Sequence, residues 1–114
     1  MKINSYSFGS ITIDNKIYQK DIIVFPEKVR PNWIRIKGHS LELKDIKEII
    51  GYNPVILIIG TGAYGSMTVP SSTRDALSKR RIKLLAEDTK KACTLFNEHI
   101  KNNIKTVGVF HLTC

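Results

Sequence analysis

Five consecutive apolar residues, Val55-Ile56-Leu57-Ile58-Ile59, run without alternation from Pro54 into Gly60-Thr61-Gly62-Ala63-Tyr64-Gly65. A strand with no polar face must be covered on both sides, which places it in the middle of an α/β sheet rather than in a half-solvated hairpin. In open α/β sheets, ligands gather at the carboxyl ends of such strands. The stretch from Gly60 to Ser72 is therefore where a site is expected.

On the amino-terminal side the chain reads as extended. Ile3 to Phe8 is followed by a break at Gly9-Ser10, and Ile11-Thr12-Ile13 and Ile17 flank a polar turn at Asp14-Asn15-Lys16, as a hairpin requires. Extended structure continues from Ile17 to Phe25, and Pro26 and Pro31 bracket a basic loop. Trp33-Ile34-Arg35-Ile36-Lys37 then alternates and predicts a short strand ending at Gly38. From Leu43 the period becomes helical (Leu43, Ile46, Ile49, Ile50), with Gly51 as the expected end.

Beyond the loop, Ser72-Thr73-Arg74-Asp75 has the spacing of a capping box, predicting a helix to about Arg81. A strand over Ile82 to Ala86, a long helix from Thr89 to about Asn102, and a closing strand from Ile104 to Thr113 complete the pattern. Alternating strands and helices predict a sheet layered against helices. With 114 residues and no linker or repeat, the expectation is one domain over 1–114.

The net charge of +8 invites a nucleic-acid reading. Residues 1–60 carry 9 basic and 6 acidic groups and residues 61–114 carry 9 and 4, so the excess is spread along the chain. The one tight cluster, Lys79-Arg80-Arg81 with Lys83, sits where cations complement a helix carboxyl terminus. Nucleic-acid binding is thus a lesser alternative, weak and nonspecific. No apolar run is long enough to span a bilayer, and Met1-Lys2-Ile3-Asn4-Ser5 lacks the apolar core of a signal peptide. Two cysteines, Cys93 and Cys114, make no disulfide framework. A cytoplasmic protein is expected.

Motifs with chemical meaning are few. Gly60-x-Gly62-x-x-Gly65 has dinucleotide-fingerprint spacing, but a helix opening there would carry Pro70 in its interior at a cost of ~3 kcal/mol. Pro70-Ser71-Ser72 reads instead as a helix start, a geometry able to attract an anion or simply to cap the helix. His111 and Cys114 fall on opposite faces of a regular strand, whereas His111 and Thr113 share one. His39, His99 and Cys93 do not complete a tetrahedral metal set, and no G-x-S-x-G elbow is present. His39 reads as a loop residue and His99 as part of a helix's apolar stripe. Glu87 and Asp88 read as favouring the start of the helix that follows.

Taken in order, Ser7-Phe8-Gly9-Ser10, the Tyr18–Phe25 strand before Pro26, Ile58-Ile59-Gly60-Thr61-Gly62, Val69-Pro70-Ser71-Ser72 and the closing Val109-Phe110-His111-Leu112-Thr113-Cys114 resemble the Mth938-like domain family, also called DUF498. The resemblance spans nearly the whole chain. It implies a three-layer α/β domain with a mixed central sheet, flanking helices and an N-terminal β-hairpin element. It implies no established reaction, and no cofactor is expected. Similar domains occur in small prokaryotic proteins of unknown activity, in an animal protein linked to fat-cell differentiation and in an assembly factor for respiratory complex I. Gly60, Gly62, Pro70, Ser71, Ser72, His111, Thr113 and Cys114 match recurrent positions and are expected to line one cleft.

These readings converge on a small interaction or assembly module, leaning away from an enzyme, with a protein partner and no membrane. A small-anion or enzymatic site beside Ser72 and His111 is the rival. The chain is expected to be a monomer or weak homodimer.

Overall fold

The computed structural model describes all 114 residues. The amino-terminal strands β1 (Ile3–Ser7), β2 (Ser10–Ile13) and β3 (Lys16–Tyr18) form an antiparallel three-stranded sheet. Its β2–β3 turn uses Asp14 and Asn15, both at positive φ (48° and 67°), the conformation a right-twisted two-residue hairpin demands.

A second sheet of five strands has the order β5 (Val29–Arg30), β4 (Ile22–Val24), β8 (Thr106–Phe110), β6 (Ile56–Gly60), β7 (Lys83–Glu87). β6 runs parallel to β7 and β8, whereas β4 runs antiparallel to β8 and β5, so the sheet is mixed. The apolar run supplies the strand next to the centre from Ile56 onward, and all five residues of β6 are buried, whereas Val55 precedes the strand and is exposed.

Alternation along these strands divides the core between the two faces of the sheet. Ile23, Phe25, Leu57, Ile59, Val107 and Val109 face Trp33, Leu41, Ile46, Ile49 and Leu77, contributed by the loop after β5, a 3-10 turn (Leu43–Ile46), helix α1 (Lys47–Tyr52) and helix α2 (Ser71–Lys79). Ile22, Val24, Ile56, Ile58 and Phe110 face Ala92, Cys93 and Phe96 of helix α3 (Thr89–Lys101) and Ile3, Ile11 and Ile13 of the small sheet. Gly108 is required on that second face, because a Cβ there would lie 2.6 Å from the Phe110 ring and 2.9 Å from Phe96. The vacated space holds an edge-to-face aromatic pair with centroids 5.9 Å apart. The result is the three-layer α/β arrangement with an N-terminal hairpin element. No helix is long and apolar enough to cross a membrane.

Three local expectations are corrected. Residues 33–37 alternate in burial but form no strand: only Lys37 makes an isolated bridge, to Ser40. Helix α1 passes through Gly51 and stops at Asn53, whose left-handed φ of 57° lets its N–H reach the carbonyls of Ile49 and Ile50. Ser72 does not cap α2. The cap position is Pro70 with no side-chain bond, and Ser72 is the second helical residue. At the 3-10 turn it is the Asp45 carboxylate that accepts the Glu42 N–H, at 2.9 Å, and Asp88 caps α3 by accepting the Lys91 N–H.

Candidate functional site

The carboxyl end of β6, the carboxyl end of β8 and the amino end of β4 lie side by side, because Gly60 pairs with Phe110 and Phe110 with Ile22. Residues just beyond those ends are consequently forced together. Asp21 precedes β4, His111 follows β8 and Gly62 follows β6.

Asp21 is the hub. Its Oδ1 accepts the Leu112 backbone N–H at 2.8 Å, and its Oδ2 lies 2.7 Å from His111 Nδ1 and 2.6 Å from the Arg35 guanidinium. The Arg35 side chain is only 5% exposed, although the residue lies in a loop, so its charge must be met within the protein. Asp21 meets it, the Gly38 carbonyl accepts two further bonds at 2.6 and 3.2 Å, and the Trp33 ring lies 4.9 Å from the guanidinium carbon. Burial raises the cost of charge on Asp21, but the Leu112 N–H, His111 and Arg35 together outweigh it and hold the carboxyl below its ordinary value.

The tautomer of His111 follows from its partners. A carboxylate can only accept, so Nδ1 carries the proton and donates to Asp21, and the 3.1 Å approach of Arg35 to the same nitrogen is a contact between a donor and a protonated atom. Nε2 is buried and without a hydrogen-bond partner. The His39 ring stands edge-on to the His111 ring, with centroids 5.7 Å apart.

The glycine loop closes the other side. Gly62 has φ +110°, and a Cβ there would sit 2.7 Å from the Cys114 carbonyl oxygen, 2.9 Å from His111 Cδ2 and 2.9 Å from the Thr113 carbonyl oxygen. Only a bare backbone fits. Thr89, fully buried at the start of α3, ties the loop to the tail: its Oγ1 accepts the Gly62 N–H at 2.9 Å and donates to the His111 carbonyl at 2.6 Å. Ala63 N–H also donates to the Thr113 carbonyl at 2.7 Å.

Of the eight positions singled out in the sequence, Gly62, His111, Thr113 and Cys114 meet here, and Gly60 lies beneath them against Thr89 and Phe110. The ladder stops at Phe110, so strand alternation does not set the direction of Thr113, which is exposed while His111 is buried. Pro70, Ser71 and Ser72 begin α2 and make no hydrogen bond to this centre. Cys114 is exposed and free; Cys93 is packed under α3, its thiol pushed up to about 12 by burial and by the charge of Asp88. Asp21, Arg35 and Thr89 were not among the expected site residues. The one signal for Asp21 is an acid set immediately before the apolar run Ile22–Phe25.

Four large apolar side chains are exposed on the loops of this centre. Ile34 (84% exposed) and Ile36 (66%) flank Arg35, while Phe8 (58%) and Tyr64 (79%) face each other at 6.4 Å on the loops bonded to Leu112 and Thr113. The buried polar triad and the exposed apolar rim thus belong to the same loops.

A sequence model described as "Protein of unknown function (DUF498/DUF598)" matches residues 3–111. Solved structures with the same fold include conserved hypothetical protein PH1505 from Pyrococcus horikoshii OT3, at TM-score 0.85 and 23% identity with all of each chain covered. XCC1710 from Xanthomonas campestris superposes at TM-score 0.85 and 16% identity, covering 96% of this chain and 83% of that one. A Mth938-like domain from Bordetella pertussis superposes at TM-score 0.77 and 18% identity, covering 97% of this chain and 85% of that one.

Proposed function

The chain belongs to the DUF498/DUF598 family, that of the Mth938-like domains, and from that premise we propose that it works as a non-enzymatic interaction module, a single domain whose protein partner docks on the loops around His111. The observation that carries this reading is the rim: Ile34, Ile36, Phe8 and Tyr64 are four of the seven large apolar residues left exposed, and all four lie on loops pinned to the Asp21–Arg35–His111 centre. Loops held by buried polar bonds present their outward side chains in one arrangement, which lowers the ordering cost of binding. Aromatic and aliphatic anchors of that kind supply most of the energy at protein interfaces.

The geometry favours a protein over a nucleic acid. Arg74, Arg81 and Lys83 gather at the opposite end of β6–β7 from the exposed aromatic pair, whereas single strands are held by cations interleaved with aromatics. Two cysteines without a bridge support a reducing, cytoplasmic setting.

The test is capture from the native cell with wild type and with Ile34→Ser/Tyr64→Ser, both positions being exposed enough to leave the fold intact. A protein retained by wild type at stoichiometric amounts and lost from the double variant, with thermal midpoints matching, is the expected result. Identical capture by the two proteins would remove the rim as the docking surface.

A further inference from the structure

The two edges of the five-stranded sheet are built differently. β5 is two residues long, and its Arg30 is held by a bidentate pair to Glu48 at 2.6 and 3.0 Å. β7 is five residues long and has no strand on its outer side. Its ladder direction follows from its ends: Lys83 N–H donates to the Val55 carbonyl and the Glu87 carbonyl accepts from Thr61 N–H. Lys83, Leu85 and Glu87 therefore turn their backbone groups toward β6, and Leu84 and Ala86 turn theirs outward. Along the same stretch Leu84, Leu85 and Ala86 are only half-buried.

Charge along this edge reverses end for end. Arg80-Arg81-Ile82-Lys83 leads into the strand and Glu87-Asp88 leads out. None of Arg81, Lys83 and Glu87 has an ion-pair partner within the chain. A cleft of about 410 Å³ lined by Arg74, Ser78, Arg81 and Lys83 opens beside the basic end.

We propose that β7 pairs antiparallel with β7 of a second copy of this chain, about a twofold axis through Leu85. In that register Leu84 stands opposite Ala86 of the second copy, and the two exchange both backbone bonds. The symmetry repeats the exchange, so all four outward N–H and C=O groups are satisfied. Lys83 falls opposite Glu87 of the second copy at a non-hydrogen-bonded position, where facing side chains come closest. The Arg80-Arg81 turn of each copy meets the Glu87-Asp88 end of the other. Moving the axis to Leu84 would place Lys83 opposite Leu85 and forfeit the charge match. The pairing joins two five-stranded sheets into one and leaves the rim around His111 free in both copies.

Self-association is read by sedimentation equilibrium on the full chain from about 10 µM to about 1 mM, because a single strand pair is a small interface and gives a weak dimer. Wild type should dimerise with concentration. Lys83→Glu and Glu87→Lys should each weaken the dimer about tenfold or more, since each creates two facing like-charge pairs. Mixing the two single variants should restore a heterodimer, and Lys83→Glu/Glu87→Lys should restore the homodimer. Both positions are exposed, and circular dichroism melts confirm that each variant is folded. Wild type that stays monomeric across the range, or a dimer indifferent to the reversals, overturns the proposal. Binding of an acidic extended peptide along β7 without self-association would overturn it too, in favour of a strand from another protein.

Discussion

The two ends of the parallel pair β6–β7 treat charge in opposite ways. Where β6 ends, Asp21, Arg35 and His111 are taken out of water and spent on one another, on the Leu112 N–H and on the Gly38 carbonyl. Where β7 begins, Arg81 and Lys83 are exposed and have no ion-pair partner within the chain. Internal pairing fixes conformation, because removing one member strands the others in a low dielectric. Unpaired surface charge fixes nothing within the chain and stays available to something outside it. The first end should therefore answer to substitution through stability, and the second only through association.

The largest expected effect is at the hub. Asp21→Ala leaves the Arg35 guanidinium buried without its counter-charge and should cost about 3–5 kcal/mol of unfolding free energy in urea titrations. Arg81→Ala at the other end should stay within about 0.5 kcal/mol of wild type. Equal losses at both positions would erase the distinction between the ends.

Gly62→Ala comes next. The new Cβ would meet two carbonyl oxygens and the His111 ring in a backbone conformation that side chains avoid, so about 2–3 kcal/mol should be lost. Gly51→Ala, inside α1 with open space around it, should instead be neutral or stabilising, and the pair of melts separates a backbone requirement from a loss of flexibility.

Acid should act on the same hub more gently. Because the folded-state value of Asp21 is lowered, its contribution is fully present above the unfolded carboxylate value of about 3.9 and is lost as pH falls through the lower folded value. The stability gap between wild type and Asp21→Asn should shrink below about pH 4 in denaturant titrations. A gap that stays constant from neutral pH to that point and beyond would mean that the carboxylate's charge contributes nothing to the lock.

Much of this architecture is local and was readable in the sequence. The apolar run at 55–59 suited an interior strand, which it forms from Ile56 onward, Asp14-Asn15 could turn a hairpin, and Asp88 stood where α3 needed a cap. The centre is not local. Asp21 and His111 are 90 residues apart, and nothing near either marks the other. Residues 33–37 show how the same gap misleads. Trp33 is buried and the Arg35 side chain points inward while Ile34 and Ile36 point out, as on a strand, yet the alternation is imposed by Asp21, Gly38 and Asp45 rather than by a neighbouring ladder. Likewise the glycines after β6 were visible, but Thr89, which fastens that loop to the tail, carried no signal beyond a helix start.

The smallest expected effect lies at the start of α2, between the two regimes. A Ser-x-x-Asp spacing makes Ser72 look like a cap whose loss would cost about 1 kcal/mol. The helix instead begins at Ser71 with Pro70 in the cap position, and the residue of this turn that reaches out is Thr73, whose buried hydroxyl donates to the Leu41 carbonyl at 2.9 Å. Ser72 is exposed and already helical, where alanine is the better helix former by a few tenths of a kcal/mol. Ser72→Ala should therefore leave stability unchanged or raise it slightly, while Thr73→Ala should lower it by about 1–3 kcal/mol through the unpaired carbonyl and lost packing. Thermal melts of the two variants side by side decide the matter. A loss of about 1 kcal/mol at Ser72 would put a capping bond back into the first turn and extend the locked region from the His111 loops into α2.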